Sequence, residues 1–158
     1  MMQIRVDDLR SPEVAALLDV HLAYAQSASP RESMHALDLE ALRSPAITFW
    51  TVWDGATLLG CGALKELDPS YGEIKSMHTA AQYRGRGIAS SLLAHIINEA
   101  RSRSYQRLSL ETGSMAAFAP ARALYVRFGF VVSPPFGDYV VDPNSVFMTL
   151  DITRRDAN

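Results

Sequence analysis

Gln82-Tyr83-Arg84-Gly85-Arg86-Gly87-Ile88-Ala89 joins a strand-like segment to a helix through a glycine-containing turn. Glycines at 85 and 87 remove Cβ atoms where the backbone bends sharply, so consecutive N–H groups can converge on one anion. From this point Ile88, Leu92, Leu93, Ile96, Ile97 and Ala100 recur at helical spacing. The turn therefore sits at a helix N-terminus, where unpaired donors and the positive end of the helix dipole are available. Arg84 and Arg86 add positive charge, and the whole points to a phosphate-bearing ligand of nucleotide type.

An isolated G-x-G also fits an ordinary strand-to-helix turn with surface arginines. Gly85, Gly87 and Ser90 further imitate a dinucleotide fingerprint, with Glu111 near the place of a ribose-binding carboxylate. Context argues against that reading. The segment Glu73 to Thr79 is polar at Glu73, Lys75, Ser76, His78 and Thr79, unlike the buried apolar first strand of a doubly wound sheet. The motif also comes in mid-chain, with too little sequence after Glu111 for a second mononucleotide half and a substrate domain.

The stretch resembles the cofactor motif of the GNAT superfamily of N-acetyltransferases, Q/R-x-x-G-x-G/A, which Arg84, Gly87 and Ala89 satisfy. Gln82, Gly85 and Gly87 fit it in a second register. Ala121-Arg122-Ala123-Leu124-Tyr125-Val126-Arg127-Phe128-Gly129-Phe130 is similar to the family's A-x-x-L-Y-x-x-x-G-F ending, and the two motifs stand in the family's order. The specific motifs lie between Glu73 and Phe130, while the N-terminal third is matched in element pattern. The resemblance implies acetyl-CoA as co-substrate. Backbone groups of Met77, His78 and Thr79 are expected on its pantetheine arm, and amides of Arg84, Gly85, Arg86, Gly87, Ile88 and Ala89 on its pyrophosphate. One helix-end interaction is worth only ~0.3–1 kcal/mol, so several donors must converge. Where relatives often carry an Asn that bonds the pantetheine, this chain has Phe118, leaving backbone groups or Ser114 to substitute.

Length and composition bound the rest. With 158 residues and 48% hydrophobic content, a single domain over 1–158 with one well-buried core is expected. The formal net charge is −2, and no Lys/Arg cluster is interleaved with aromatics, so no nucleic-acid partner is expected. No apolar run approaches the roughly 20 residues of a membrane helix, and no signal-peptide core follows Met1. No membrane partner and a cytoplasmic location are the corresponding expectations. Cys61, the single cysteine, excludes an internal disulfide and reads as core filling in a strand. The four histidines lack metal-ligand spacing, no metal is expected, and His21 and His95 read as partly exposed helical positions.

Gln3 to Asp7 alternates as a strand, and Ser11 or Asp8 can cap a helix from Pro12 to Gln26. Ser33 is the expected cap of a short helix reaching Leu42. Ile47–Trp53 and Thr57–Leu67 form β-rich runs around Asp54-Gly55, a hairpin signal, and the Glu73 strand follows the turn at 68–72. Arg107–Thr112 reads as a strand, Ala116–Phe128 as a helix, and Phe130–Val132 with Val146–Ile152 as closing strands. The order β-α-α-β-β-β-α-β-α-β-β predicts an α+β fold, a mixed, largely antiparallel sheet flanked by helices, which is also the order of the resembled family.

Acetyl transfer to an amine needs a neutral amine, a polarised carbonyl and a proton for the leaving thiolate. The resemblance makes Tyr125 the acid that protonates the sulfur; its spacing with Leu124 and Phe128 alone reads as core. Glu73, on the strand entering the glycine turn, is the candidate base by likeness to histone-acetylating relatives. Pairing with Lys75 is its structural alternative, and ordered water is the alternative base. Ser33, His35, Glu111, Thr112 and Tyr139 are candidate substrate contacts. The expected activity is acetyl-CoA-dependent transfer to a primary amine of a small molecule, by direct attack in a ternary complex. A non-catalytic acyl-CoA-binding sensor or interaction module is the alternative. Dimers are common in the family, which makes a homodimer a further expectation.

Overall fold

The computed structural model of the chain describes residues 1–28 and 38–153; Ser33 and His35 lie outside the described residues. The elements are β1 (Met2–Val6), α1 (Pro12–Ala28), α2 (Leu39–Leu42), β2 (Ile47–Asp54), β3 (Thr57–Asp68), β4 (Tyr71–Thr79), α3 (Ile88–Ser102), β5 (Arg107–Gly113), α4 (Ala119–Arg127), β6 (Val131–Ser133) and β7 (Ser145–Asp151). This is the expected order. The strands form one sheet, β1-β2-β3-β4-β5-β7-β6, in which every neighbouring pair is antiparallel except β4 with β5. Among the described residues no helix is long and apolar enough to cross a membrane.

Helix boundaries follow from how the orphaned backbone groups are satisfied. Ser11 caps α1 through Oγ, which accepts from the Val14 amide at 3.3 Å; Asp8 instead accepts from the Arg10 amide. The expected cap of α2 at Ser33 is replaced by Asp38, which is extended at φ −79° and ψ 176° and accepts from the Ala41 amide at 2.9 Å. The helix therefore starts at Leu39. The expected helix over 116–128 is split into a 3-10 turn at Ala116–Phe118 and α4. Pro120 in the first turn of α4 has no N–H to give to a preceding carbonyl, which separates the two. The hairpin loop is Gly55-Ala56, one residue later than expected, because Asp54 still pairs with Thr57 and Gly55 supplies the positive φ of 57°.

Helices α3 and α4 both end in Schellman motifs. In α3, the Tyr105 amide donates to Ala100 O and the Ser104 amide to Arg101 O, each at 3.0 Å, with Ser104 at φ 64°. In α4, the Phe130 amide donates to Tyr125 O at 3.1 Å and the Gly129 amide to Val126 O at 3.0 Å, with Gly129 at φ 97°. The Gly-Phe ending thus has a physical reason: Gly129 adopts the left-handed cap, and Phe130 is buried edge-on against Tyr125 at 5.7 Å between ring centroids.

Two apolar clusters cover the two sheet faces. Ile88, Leu92, Leu93, Ile96, Ile97 and Ala100 of α3 join Leu124 and Tyr125 of α4 against Trp50, Ile74, Leu108 and Leu110. Leu17 and Leu18 of α1 and Leu42 of α2 pack on Phe49, Trp53, Cys61 and Ala63. Burying these side chains contributes roughly 1.5–3 kcal/mol each.

Two irregularities interrupt the sheet at its centre. Cys61 pairs with His78 and Ala63 with Lys75, so Gly62 of β3 faces both Ser76 and Met77 of β4. This is a β-bulge, with Ser76 at φ 57°. The inserted residue shifts the alternation: Ile74 and Met77 face the α3 cluster, while His78 shares the α1 face with Glu73 and Lys75. In addition, β4 and β5 pair only at Tyr71↔Arg107, Gly72↔Leu108 and Glu73↔Ser109. Beyond Glu73 and Ser109 the two strands diverge, although β4 runs on to Thr79 and β5 to Gly113.

The narrow end of this divergence is tightly packed. A Cβ at Gly72 would lie 2.8 Å from Leu64 Cδ1 and 2.9 Å from the Tyr105 ring. Tyr105 cannot yield, because its hydroxyl donates to Glu66 at 2.7 Å. Gly72→Ala is expected to destabilise the fold by about 1–3 kcal/mol, measured as a lower midpoint in urea unfolding; an unchanged midpoint would contradict the packing described.

Candidate active site

The divergence of β4 from β5 opens a cleft of about 660 Å³ that passes between α3 and α4 on one face and reaches α1 on the other. Backbone N–H and C=O groups of β4 past Glu73 have no ladder partner on the β5 side, so an extended ligand can hydrogen-bond there as an added strand would. Met77, His78 and Thr79, the expected pantetheine contacts, line this cleft.

At its α3 mouth lies the glycine turn. Gly85 and Gly87 have φ of 80° and 78°, and Gly87 is the N-cap of α3 with no side-chain cap bond. The following amides remain available to an anion. Arg84, Gly85, Gly87, Ile88 and Ala89 line the cleft. The Arg86 side chain does not, because its guanidinium stacks on the Tyr83 ring at 5.3 Å. The Arg84 guanidinium lies over Tyr24 of α1 at 5.6 Å, and its amide, expected on the pyrophosphate, is instead taken by Ala81 O at 3.5 Å within the preceding turn. Phe118 also borders the cleft, with its ring against Gly113 and edge-on to Tyr24 at 5.8 Å.

Tyr125, Glu73 and Glu111, the expected acid, base and substrate contact, all line the cleft. Tyr125 of α4 is 6% exposed; burial foremost, and then the charge of Glu111, raise its pKa. Leu108 and Leu110 of β5 face α3, which by alternation turns Glu111 to the other face, beside Glu73. Burial raises the Glu111 carboxyl to about 7, helped by the charges of Glu73 and Asp142 and opposed by Ser145 and Lys75. Glu73 is 4% exposed and engaged: Oε2 accepts from Lys75 Nζ at 2.9 Å and from the Tyr139 hydroxyl at 2.6 Å. Lys75 also donates to the Tyr139 oxygen at 2.9 Å. Tyr139, from the connection between β6 and β7, is thereby latched onto β4, with its own pKa raised by burial and by Glu73. Thr112 borders the same space.

A histidine pair was not legible as a unit. His21, expected as a partly exposed helical position, faces the cleft, and its Nδ1 lies 3.1 Å from Nδ1 of His78. One proton must sit between them. Burial lowers the His21 pKa; burial, His21 and Arg84, in that order, lower that of His78 to about 4. His95 is instead edge-on to Trp50. Cys61 is buried, its thiol donates to the bulge carbonyl of Ser76 at 3.4 Å, and burial pushes its pKa up to about 12, in keeping with core filling. Sequence spacing had no means of joining His21 to His78, since 57 residues separate them.

Comparison with known proteins gives the family. The model of the Acetyltransferase (GNAT) family matches residues 14–130. The uncharacterized N-acetyltransferase YsnE of Bacillus subtilis is 58% identical over 148 residues, covering 94% of this chain and 98% of that protein. The uncharacterized N-acetyltransferase YedL of Escherichia coli is 49% identical over 156 residues, covering 99% and 98%. The fold is shared with a GNAT family acetyltransferase from Elizabethkingia anophelis crystallised with acetyl-CoA bound, at a TM-score of 0.70 and 19% identity over 96% of this chain and 98% of that one. On the extent of the family match and of these relatives, the chain belongs to the GNAT acetyltransferase family.

Proposed function

We propose that the protein transfers the acetyl group of acetyl-CoA to a primary amine of a small molecule, by direct attack with both substrates bound. The observation that carries this reading is the splayed β4–β5 pair, with an uncapped helix N-terminus at one mouth and Tyr125 and Glu111 at the opening between the faces. The residues present fit the co-substrate. The unpaired β4 edge at Met77–Thr79 suits an amide-containing arm, and the amides of the 85–89 turn suit a pyrophosphate. Bound acetyl-CoA supplies an activated acetyl group on a thiol leaving group.

Glu111 is the base in this proposal, in preference to Glu73. A carboxyl near 7 is far better matched to an amine than one at the usual ~4.3. Glu73 holds Lys75 and Tyr139 in place, and its charge helps to raise Glu111. The amine nitrogen forms the new bond to the acetyl carbon and gives its proton to Glu111. The carbon–sulfur bond breaks and the sulfur takes the Tyr125 proton; Glu111 then loses its proton to solvent and Tyr125 regains one. The raised pKa keeps Tyr125 protonated at neutral pH, so it is always loaded for this step. Phe118, where relatives often have a pantetheine-binding Asn, favours weaker donor binding and supports the second reading, an acyl-CoA-binding module without turnover.

Acetyl-CoA at 100 times its dissociation constant is expected to stabilise the protein by about 2.7 kcal/mol in a thermal-shift assay; a response to NADH alone would contradict the reading. Thiol release across an amine panel separates enzyme from binding module, which would show the shift without turnover.

Tyr125→Phe should lower kcat about 10²-fold with little change in KM for acetyl-CoA, and an unchanged kcat would remove Tyr125 from the chemistry.

Wild-type kcat should rise with pH through an apparent pKa of about 7, and Glu111→Gln should lower kcat by about 10² or more and abolish that limb. The same group affects folding. Its pKa of about 7 in the folded state lies above the value near 4.3 of an unfolded chain. Between those values the folded state binds the extra proton, so stability falls as pH rises through that window. Glu111→Gln should therefore raise the melting temperature relative to wild type near pH 8 and not near pH 4; a gain of equal size at both would contradict the raised pKa.

A further inference from the structure

The α1 face of the cleft has an acidic end and an end that gathers hydrogen-bonding and basic groups. Glu111 and the Lys75-paired Glu73 form the first. The second contains His21, His78, Ser76 and Arg84, all lining the cleft. There, two side-chain atoms are buried without a partner: Nε2 of His78, a residue 9% exposed, and Oγ of Ser76. Ser76 belongs to the β4 bulge, which sets His78 on this face. A buried polar atom left unpaired is destabilising, and two of them from residues that line one cleft suit a ligand that completes them.

We infer that His78, Ser76 and Arg84, with His21 behind them, form a recognition site for a carboxylate carried by the acceptor, so that amino-acid-type amines are preferred over plain alkylamines. This inference rests on the acetyl transfer proposed above. The contact between the two Nδ1 atoms allows one proton, and the site requires that His21 carry it. His78 then presents Nε2–H, and with the Ser76 hydroxyl it offers two donors to two carboxylate oxygens. The Arg84 guanidinium, over Tyr24 at 5.6 Å, pairs with no carboxylate among the described residues. Its charge reaches His78, whose protonation it disfavours. A second ammonium at this end would meet that charge and no carboxylate; a carboxylate would meet two donors and a guanidinium. Because Arg84 stacks on α1 while the amides of the glycine turn open at the start of α3, the guanidinium belongs to the acceptor side. The acceptor would lie with its amine at Glu111 and its carboxylate at His78.

The test compares, at saturating acetyl-CoA, kcat/KM for each L-amino acid with that for its carboxamide and for the corresponding decarboxylated amine. The best acid is expected to exceed both of its analogues by about tenfold or more, and His78→Ala, His21→Ala and Ser76→Ala to bring that ratio toward one. His78→Gln, which keeps a donor, should restore part of it. Equal rates for acid, carboxamide and amine in wild type would overturn the inference, as would variants that keep the ratio and raise KM for acetyl-CoA instead. If no amine is turned over, the acetyl-transfer reading fails by itself, and the recognition site is decided separately. In the CoA-loaded protein, the imidazole ¹⁵N signals of His21 and His78 should report opposite tautomers and shift on titration with a mixture of L-amino acids. Matching tautomers or unmoved signals would overturn it.

Discussion

Hydrogen bonding between β4 and β5 stops at Glu73 and Ser109, and the remainder of the site is a consequence of that interruption. A continuous parallel pair would bury its backbone groups and leave no passage from one face of the sheet to the other. Because the strands part, β4 offers unpaired amides and carbonyls in the middle of the molecule, where such groups are normally paired. The wedge also lets groups from opposite faces approach one space: Tyr125 from α4 on the side of α3, and Glu111 with Tyr139 from the other. Tight packing at the closed end, where Gly72 admits Leu64 and the pinned Tyr105, fixes the point from which the strands open.

The two sequence motifs become intelligible as devices that hold this wedge. The glycine turn follows a 3-10 turn at Ala81–Tyr83 and starts α3 without a side-chain cap, leaving the first amides of the helix available. The Gly-Phe ending closes α4 with a Schellman motif in which Phe130 donates to the carbonyl of Tyr125 and packs on its ring. Arg122 reinforces the same helix by donating to the carbonyls of Gly113 at 2.6 Å and Met115 at 2.9 Å at the end of β5. The position of the tyrosine hydroxyl is thus set by backbone capping and aromatic packing, away from the hydroxyl itself.

Element order, strand pattern and the glycine turn at the start of α3 were readable because they depend on local spacing. The α3 stripe, Ile88 through Ala100, is buried as its periodicity requires, and the glycines adopt the conformations for which glycine is needed. The polar residues of Glu73–Thr79 marked this segment correctly as different from a wholly apolar core strand. Their burial was hidden, since alternation cannot distinguish a side chain facing solvent from one facing a cleft inside the protein. The His21–His78 contact, the latch of Tyr139 on Glu73 and the raised pKa of Glu111 each join residues distant in sequence, and each depends on the divergence and the bulge. Neither irregularity has a local signature here: Ser76 adopts a positive φ that no glycine announces.

The bulge opposite Gly62 acts as a phase setter. Regular pairing of the same residues past Lys75 would set Met77 opposite Cys61 and His78 opposite Gly60, and every side chain beyond that point would exchange faces. His78 would turn toward α3 and leave the wall it shares with Glu73 and Lys75, while the glycine turn, governed by its own backbone, would keep its conformation. The extra residue therefore keeps His78 on the wall of Glu73 and Lys75. A shift of pairing there would rebuild that wall and leave the glycine turn as it is, a change that point substitutions along the strand do not offer.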